Sequence, residues 1–206
     1  MDPIPSAAAD PLAGAPSQRR LQRLPDFTGG RLCHFRQVFL RHGLPGLVLV
    51  PLLLLHEGPR WVGARVLQPV LDAPLRYAIG AVAILVVLCA VALVRDRRLD
   101  GAQLGWTLYL GALSAWEEFV FRVGLPIMLM LAGMDGVAAV IGANVLFGVM
   151  HWFTLRWRAA WCLVACLGGL ALARLLDQRG DLALVIAAHW VGTFLNTPRP
   201  PRGVAP

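Results

Sequence analysis

Apolar residues fall along this chain in blocks separated by short polar punctuation, and six such blocks predict its elements. They are Leu44–Leu55, interrupted by Pro45 and Pro51; Ala78–Val94, the cleanest; Trp106 to about Ala132; Val137–Phe153; Ala159–Leu176; and Leu182–Leu195. Runs of this length and uniformity predict membrane-spanning helices, so the expected fold is an all-α, polytopic transmembrane helical bundle of about six spans. Several runs fall short of the ~20 residues that a hydrocarbon core of roughly 30 Å requires, which implies local thinning or recruitment of flanking residues. Between the first two blocks, Arg60–Arg76 mixes Trp61, Val62, Val66 and Leu67 with charges and reads as an interfacial amphipathic helix. Residues 1–40 read as a flexible cytoplasmic tail rich in Arg, Pro and Ala, 41–197 as the membrane domain and 198–206 as a short cytoplasmic tail. A secretory signal peptide is not expected, because the first apolar run starts too late and no small-residue cleavage site follows it.

Composition agrees with lipid as the solvent. Of 206 residues, 57% are hydrophobic and only 15% charged, against roughly 25% charged in soluble domains. The net charge of +7 does not indicate nucleic acid as a partner, because the basic residues flank apolar runs and line no continuous face. All 19 basic residues are Arg. Their distribution orients the chain: with both termini cytoplasmic, the Arg-rich N-terminal tail, Arg95/Arg97/Arg98, Arg156/Arg158 and Arg199/Arg202 all lie inside. The loops around Asp135 and around Asp177–Asp181 then lie outside, and only Arg60–Arg76 runs against the rule. The four cysteines, Cys33, Cys89, Cys162 and Cys166, show no metal-knuckle spacing and read as packing residues.

Against this background a few polar residues are out of place. The chain has three glutamates, and two of them, Glu117 and Glu118, are adjacent inside the third run. A charge near the bilayer centre costs about 2.5–3.5 kcal/mol on insertion scales, so it persists where it pairs or faces an aqueous cavity. Glu118 and Arg122 are one helical turn apart and can pair on one face. Glu117 points about 100° away from that face and is left as the free carboxylate. His151 and His189 lie inside the fourth and sixth runs, and the only two asparagines, Asn144 and Asn196, sit seven residues from one histidine each. Thr193 shares the His189 face. A carboxylate, two imidazoles and an amide are the parts needed to deprotonate and orient a water and to stabilise an oxyanion.

The pattern Glu117-Glu118-x-x-x-Arg122, then Phe147-x-x-x-His151, then His189 in the last apolar run resembles the CPBP family of intramembrane proteases. That family includes the Rce1-like CAAX prenyl endopeptidases and bacterial relatives of the Abi type. The resemblance covers roughly residues 80–196 and implies an intramembrane endopeptidase in which Glu117 activates the attacking water. It implies support from Glu118 and Arg122, and water positioning and intermediate stabilisation by His151 and His189. Where the family usually places Asn or Asp four residues after the second histidine, this chain has Thr193, with Asn196 a turn further on. The resemblance to small bacterial members implies a cytoplasmic-membrane location, and a membrane-associated or lipid-modified protein as substrate, cut at a C-terminal signal or anchor.

Cofactor expectations rest on spacing. A zinc protease of the usual kind places two histidines at i and i+4 on one helix around a glutamate, a pattern that is absent here. A glutamate mechanism without cofactor is therefore expected, with zinc held by Glu117, His151 and His189 as the alternative. Two intramembrane histidines would also suit a haem, which leaves the glutamate pair without a role. A catalytically silent membrane scaffold or immunity protein on the same fold stays open.

Overall fold

The computed structural model describes residues Gly63 to Arg97, Leu99 to Thr197, Arg199 and Pro200, together with Arg36, Leu40 and Arg60. The tail over residues 1–40 apart from Arg36 and Leu40, the Leu44–Leu55 run and most of residues 198–206 lie outside the described residues. Helices dominate and no strand forms among the described residues. A π-helical turn, Gly63–Leu67, leads into α1 (Gln68–Asp72), and then come α2 (Pro74–Asp96) and α3 (Gly101–Glu118). A second π-helical segment, Phe119–Gly124, continues α3 into α4 (Leu125–Leu131). The chain closes with α5 (Gly136–Leu155), α6 (Ala159–Arg179) and α7 (Leu182–Asn196).

Among the described residues three helical stretches are long and apolar enough to cross a bilayer: Pro74–Arg95, Gly136–Leu155 and Ala159–Arg179. These are three of the six expected spans. The first expected span is outside the described residues. The third is interrupted by π-helical turns, and the last, α7, has only 15 residues. The expected amphipathic stretch Arg60–Arg76 is divided: it is helical from Gly63 to Asp72, breaks at Ala73, and yields Pro74–Arg76 to the first turn of α2. Pro74 suits that position, since a first-turn residue has no intrahelical acceptor for the N–H that proline lacks.

Aspartates start the helices that build the interior. Asp100 accepts from Gln103 N at 2.8 Å, Asp135 from Val137 N and Ala138 N at 2.9 and 3.1 Å, and Asp181 from Leu184 N at 3.0 Å. Each satisfies a free N–H and places negative charge at the positive end of the helix dipole. Asp181 also accepts from Tyr77 Oη, which ties the start of α7 to α2.

α3 and α7 run antiparallel, as the pairs Trp106–Thr197, Ser114–Thr193 and Glu118–His189 show. Two indoles fasten them by donating to backbone carbonyls: Trp106 Nε1 to Thr197 O and Trp190 Nε1 to Thr107 O, both at 2.8 Å. Gly111 gives the Trp190 ring its room, since a Cβ there would lie 3.0 Å from the indole. Leu88 and Ala92 of α2, Trp106 and Leu110 of α3 and Phe194 of α7 form one apolar core. A second core joins Val123, Leu176, Leu182 and Val185 across the second π segment, α6 and α7.

α5 and α6 approach through Gly148, where a Cβ would lie 2.7 Å from Cys162 O and 3.0 Å from Cys166 Cβ. Small residues that let backbones meet are the usual basis of helix association in lipid, where burial of apolar surface gives no net drive. Gly148→Ala is therefore expected to lower unfolding free energy in mild detergent by about 1–3 kcal/mol. Gly80→Ala, whose Cβ would meet nothing within 4 Å, should be neutral or stabilising by up to ~1 kcal/mol. Equal losses in the two variants would show that the α5–α6 approach is not what requires glycine at position 148.

Candidate functional site

The site forms where α3 gives way to the π-helical segment. Glu117 and Glu118 end the regular helix, and in the next six residues the backbone pairs i to i+5, a widened turn that recurs at functional positions. Phe121, Arg122, Val123 and Gly124 are four consecutive buried residues. No helix with one exposed face could bury such a run, so the segment is enclosed on all sides by its neighbours.

Arg122 turns back onto Glu118, with Nε 3.1 Å from Oε2, and both side chains are 0% exposed. The contact is an ion pair without the angle of a directed hydrogen bond, and Arg122 Nη1 and Nη2 are buried without a hydrogen-bond partner. The guanidinium instead lies over the face of Phe147, its carbon 4.7 Å from the ring centroid, where the ring quadrupole attracts it.

The other oxygen of Glu118, Oε1, lies 2.5 Å from Nδ1 of His189 on α7. A carboxylate paired with arginine can only accept here, so Nδ1 carries the proton and the imidazole is fixed in orientation. The opposite ring nitrogen, Nε2, faces Glu117 Oε2 at 3.5 Å. The two adjacent glutamates thus address opposite sides of one imidazole. Exposure divides them: Glu118 is sealed, while the side chains of Glu117 and His189 keep 17% and 14% of their surface accessible.

His151 takes a different place. It lies one turn beyond Phe147 on α5, with Nδ1 at 2.7 Å from Phe147 O, which assigns the proton to Nδ1 and leaves Nε2 as the outward nitrogen. Its ring packs edge-on against Phe147 at 4.6 Å and lies 4.4 Å from the Trp157 indole. Phe147 also meets His189 edge-on at 6.0 Å, so the phenyl ring stands beside both imidazoles. Among the described residues, no hydrogen bond or ion pair joins His151 to Glu117 or to His189. Nor do three His, Cys, Asp or Glu side chains among them gather as a metal-holding group.

The supporting residues divide likewise. Thr193 accepts from Ser114 Oγ at 3.3 Å and so joins α3 to α7 one turn from His189. Asn196 is exposed and makes no contact with the glutamates. Asn144 is fully buried, but its Nδ2 donates to Val140 O at 2.8 Å and its Oδ1 lies against Gly169 without a hydrogen-bond partner. Sequence reading did not single out Trp157, whose indole flanks His151, or Gly169 of α6. An adjacent glycine pair, Gly168-Gly169, inside an apolar helix was the available signal for the latter.

Residues 100–195 match the family described as type II CAAX prenyl endopeptidase Rce1-like. That match covers α3 through nearly all of α7 and hence every residue of the glutamate–histidine site. The segment is accordingly similar to CAAX-type membrane proteases, and the long apolar helices are those of an integral membrane protein. No curated protein and no solved structure shows a significant match to the chain.

Removing one partner of a buried ion pair strands the other. Arg122→Met is expected to cost about 3–5 kcal/mol of stability. A second change, Glu118→Leu, should return most of that loss by removing the stranded charge. Unfolding of both variants in the same detergent tests this, and equal stability of the two would refute the pairing.

Proposed function

We propose that this chain is an intramembrane endopeptidase in which Glu117 activates the attacking water and His189 and His151 position it and stabilise the intermediate. The observation that carries the reading is the placement of the two glutamates on opposite nitrogens of His189, one sealed beside Arg122 and one open to the exterior.

The chemistry divides between the two sides of that imidazole. Arg122 and Glu118 neutralise each other, and Glu118 holds the Nδ1 proton of His189, so the ring cannot swing or change tautomer freely. Its Nε2 edge faces the accessible carboxylate of Glu117. A water bound between them gives its proton to Glu117 while its oxygen bonds to the scissile carbonyl carbon. The carbonyl oxygen becomes the oxyanion, and a His189 ring that has first taken a second proton from solvent, at Nε2, donates to it and keeps that proton throughout the step. Collapse of the intermediate breaks the C–N bond, and the proton held by Glu117 passes to the leaving amine. His151, its ring held between Phe147 and Trp157 with Nδ1 against the Phe147 carbonyl, supplies the second imidazole in this reading.

Two finer readings accompany this one. The substrate is a membrane-associated or lipid-modified protein cut near its C-terminus, in keeping with the activity named for the matched family. The reaction needs no metal: each nitrogen of His189 already faces a carboxylate, and the Phe147 ring stands beside both histidines.

Glu117→Gln removes the base and keeps the shape. We expect folded protein, an unfolding midpoint close to that of the parent, and complete loss of peptide-bond cleavage. Cleavage retained in this variant would refute the reading, and a biological effect that survives without cleavage would establish a silent scaffold instead. Purified protein treated with chelator is expected to keep full activity; loss that zinc restores would assign a metal to the site. Asn196→Ala should leave turnover unchanged, whereas Thr193→Ala, which breaks the contact with Ser114, should lower it.

A further inference from the structure

α6 supplies no side chain to the site, yet its bare backbone at Gly169 determines where the Arg122 guanidinium can sit. Gly169 is buried midway along that helix. A Cβ there would lie 2.8 Å from Arg122 Nη2 and would collide with Asn144 Oδ1. Neither neighbour is free to retreat. Arg122 is fixed at one end by Glu118 and on its face by Phe147, and Asn144 is held by the hydrogen bond from its Nδ2 to Val140 O.

The two groups that meet at this Cα are complementary. Arg122 Nη1 and Nη2 are donors buried without a hydrogen-bond partner, and Asn144 Oδ1 is an acceptor buried without one. In a membrane interior such groups are costly, and both lie against the same bare Cα of Gly169, with no hydrogen bond closed between them. Gly168, one residue earlier, faces outward: a Cβ there would meet nothing within 4 Å. One glycine of the pair is therefore required by the site and the other is not.

We infer that Gly169 is a positioning residue: the room its bare Cα leaves sets the Arg122 guanidinium beside Asn144, and through Glu118 it fixes the orientation of the His189 imidazole. The inference rests on the proposed hydrolysis only for its effect on turnover. Its structural content concerns the state of His189 and can be read without any substrate.

The test compares Gly169→Ala, Gly168→Ala and the double variant Gly169→Ala/Asn144→Ala in the full-length protein in lipid bicelles. The readout is the downfield proton resonance of His189 Nδ1–H in its bond to Glu118, assigned by its loss in His189→Gln. Gly169→Ala is expected to shift or abolish that resonance and Gly168→Ala to preserve it. The double variant, which removes the closer of the two collisions and lets the guanidinium ease into the space that Asn144 occupied, is expected to restore it at least in part. Turnover, where cleavage is measurable, should fall roughly 100-fold in Gly169→Ala, as a displacement of about 1 Å in a catalytic array can cause, with kcat falling and KM little changed. An unchanged resonance in Gly169→Ala overturns the inference. If Gly169→Ala does not accumulate as folded protein, the double variant decides alone: recovery of fold and resonance supports the inference, and failure to recover overturns it. Absence of cleavage in the parent protein would count against the proposed hydrolysis and leave the resonance comparison intact.

Discussion

Everything distinctive in this protein depends on holding one guanidinium and one carboxylate out of water in the interior of a membrane bundle. A lone charge at that depth is expensive, and a bare pair still leaves hydrogen-bonding groups unmet. The fold answers with several partners at once. Glu118 has Arg122 on one oxygen and His189 on the other, while Arg122 has an aromatic face beneath it and an amide oxygen beside it. The partners come from α3 and the π segment, from α5 and from α7, and α6 stays out of the way at Gly169. The ion pair therefore acts as a register mark, and helices that slid relative to one another would leave charge stranded.

The amino-acid sequence makes some of these costs visible and hides others. A charge inside an apolar run is conspicuous, so Glu117, Glu118, Arg122, His151 and His189 stand out by type and position alone, as does the one-turn spacing of Glu118 and Arg122. The helical class and the long apolar stretches are equally legible, because they depend on composition and periodicity. The backbone between the charges is not. Nothing in Phe119–Gly124 announces a π-helical turn, and that turn encloses the segment and changes the facing of the residues beyond it. Helical spacing placed Asn144 and Asn196 with the histidines, yet Asn144 is buried and bonds back to Val140 O, and Asn196 is exposed. Period alone cannot say which neighbour a face meets. The same limit hid Trp157 and Gly169, whose meaning lies in contacts between elements far apart along the chain.

The pairing of α3 with α7 shows how a short helix can be held firmly. With 15 residues, α7 is about 22 Å long at 1.5 Å per residue, less than the ~30 Å of a hydrocarbon core. Its position is set by specific links along its length. Asp181 caps its start and accepts from Tyr77, the Trp190 indole reaches Thr107 O, Thr193 meets Ser114, and its C-terminal flank at Thr197 is bonded by Trp106. His189 lies between the first and last of these, so its ring is aimed by contacts on both sides.

The division between sealed and accessible groups has an electrostatic consequence of its own. Arg122 and Glu118, both wholly enclosed, form a dipole of fixed composition. In the proposed reaction the carboxylate that gains and loses a proton is Glu117, at the accessible edge with His189. On that proposal the charge that changes belongs to the partly exposed carboxylate, and the enclosed pair takes no part in the proton transfer. A bundle arranged in this way can cycle a proton without ever altering the net charge of its dry interior, and the work of moving that proton falls on the water outside.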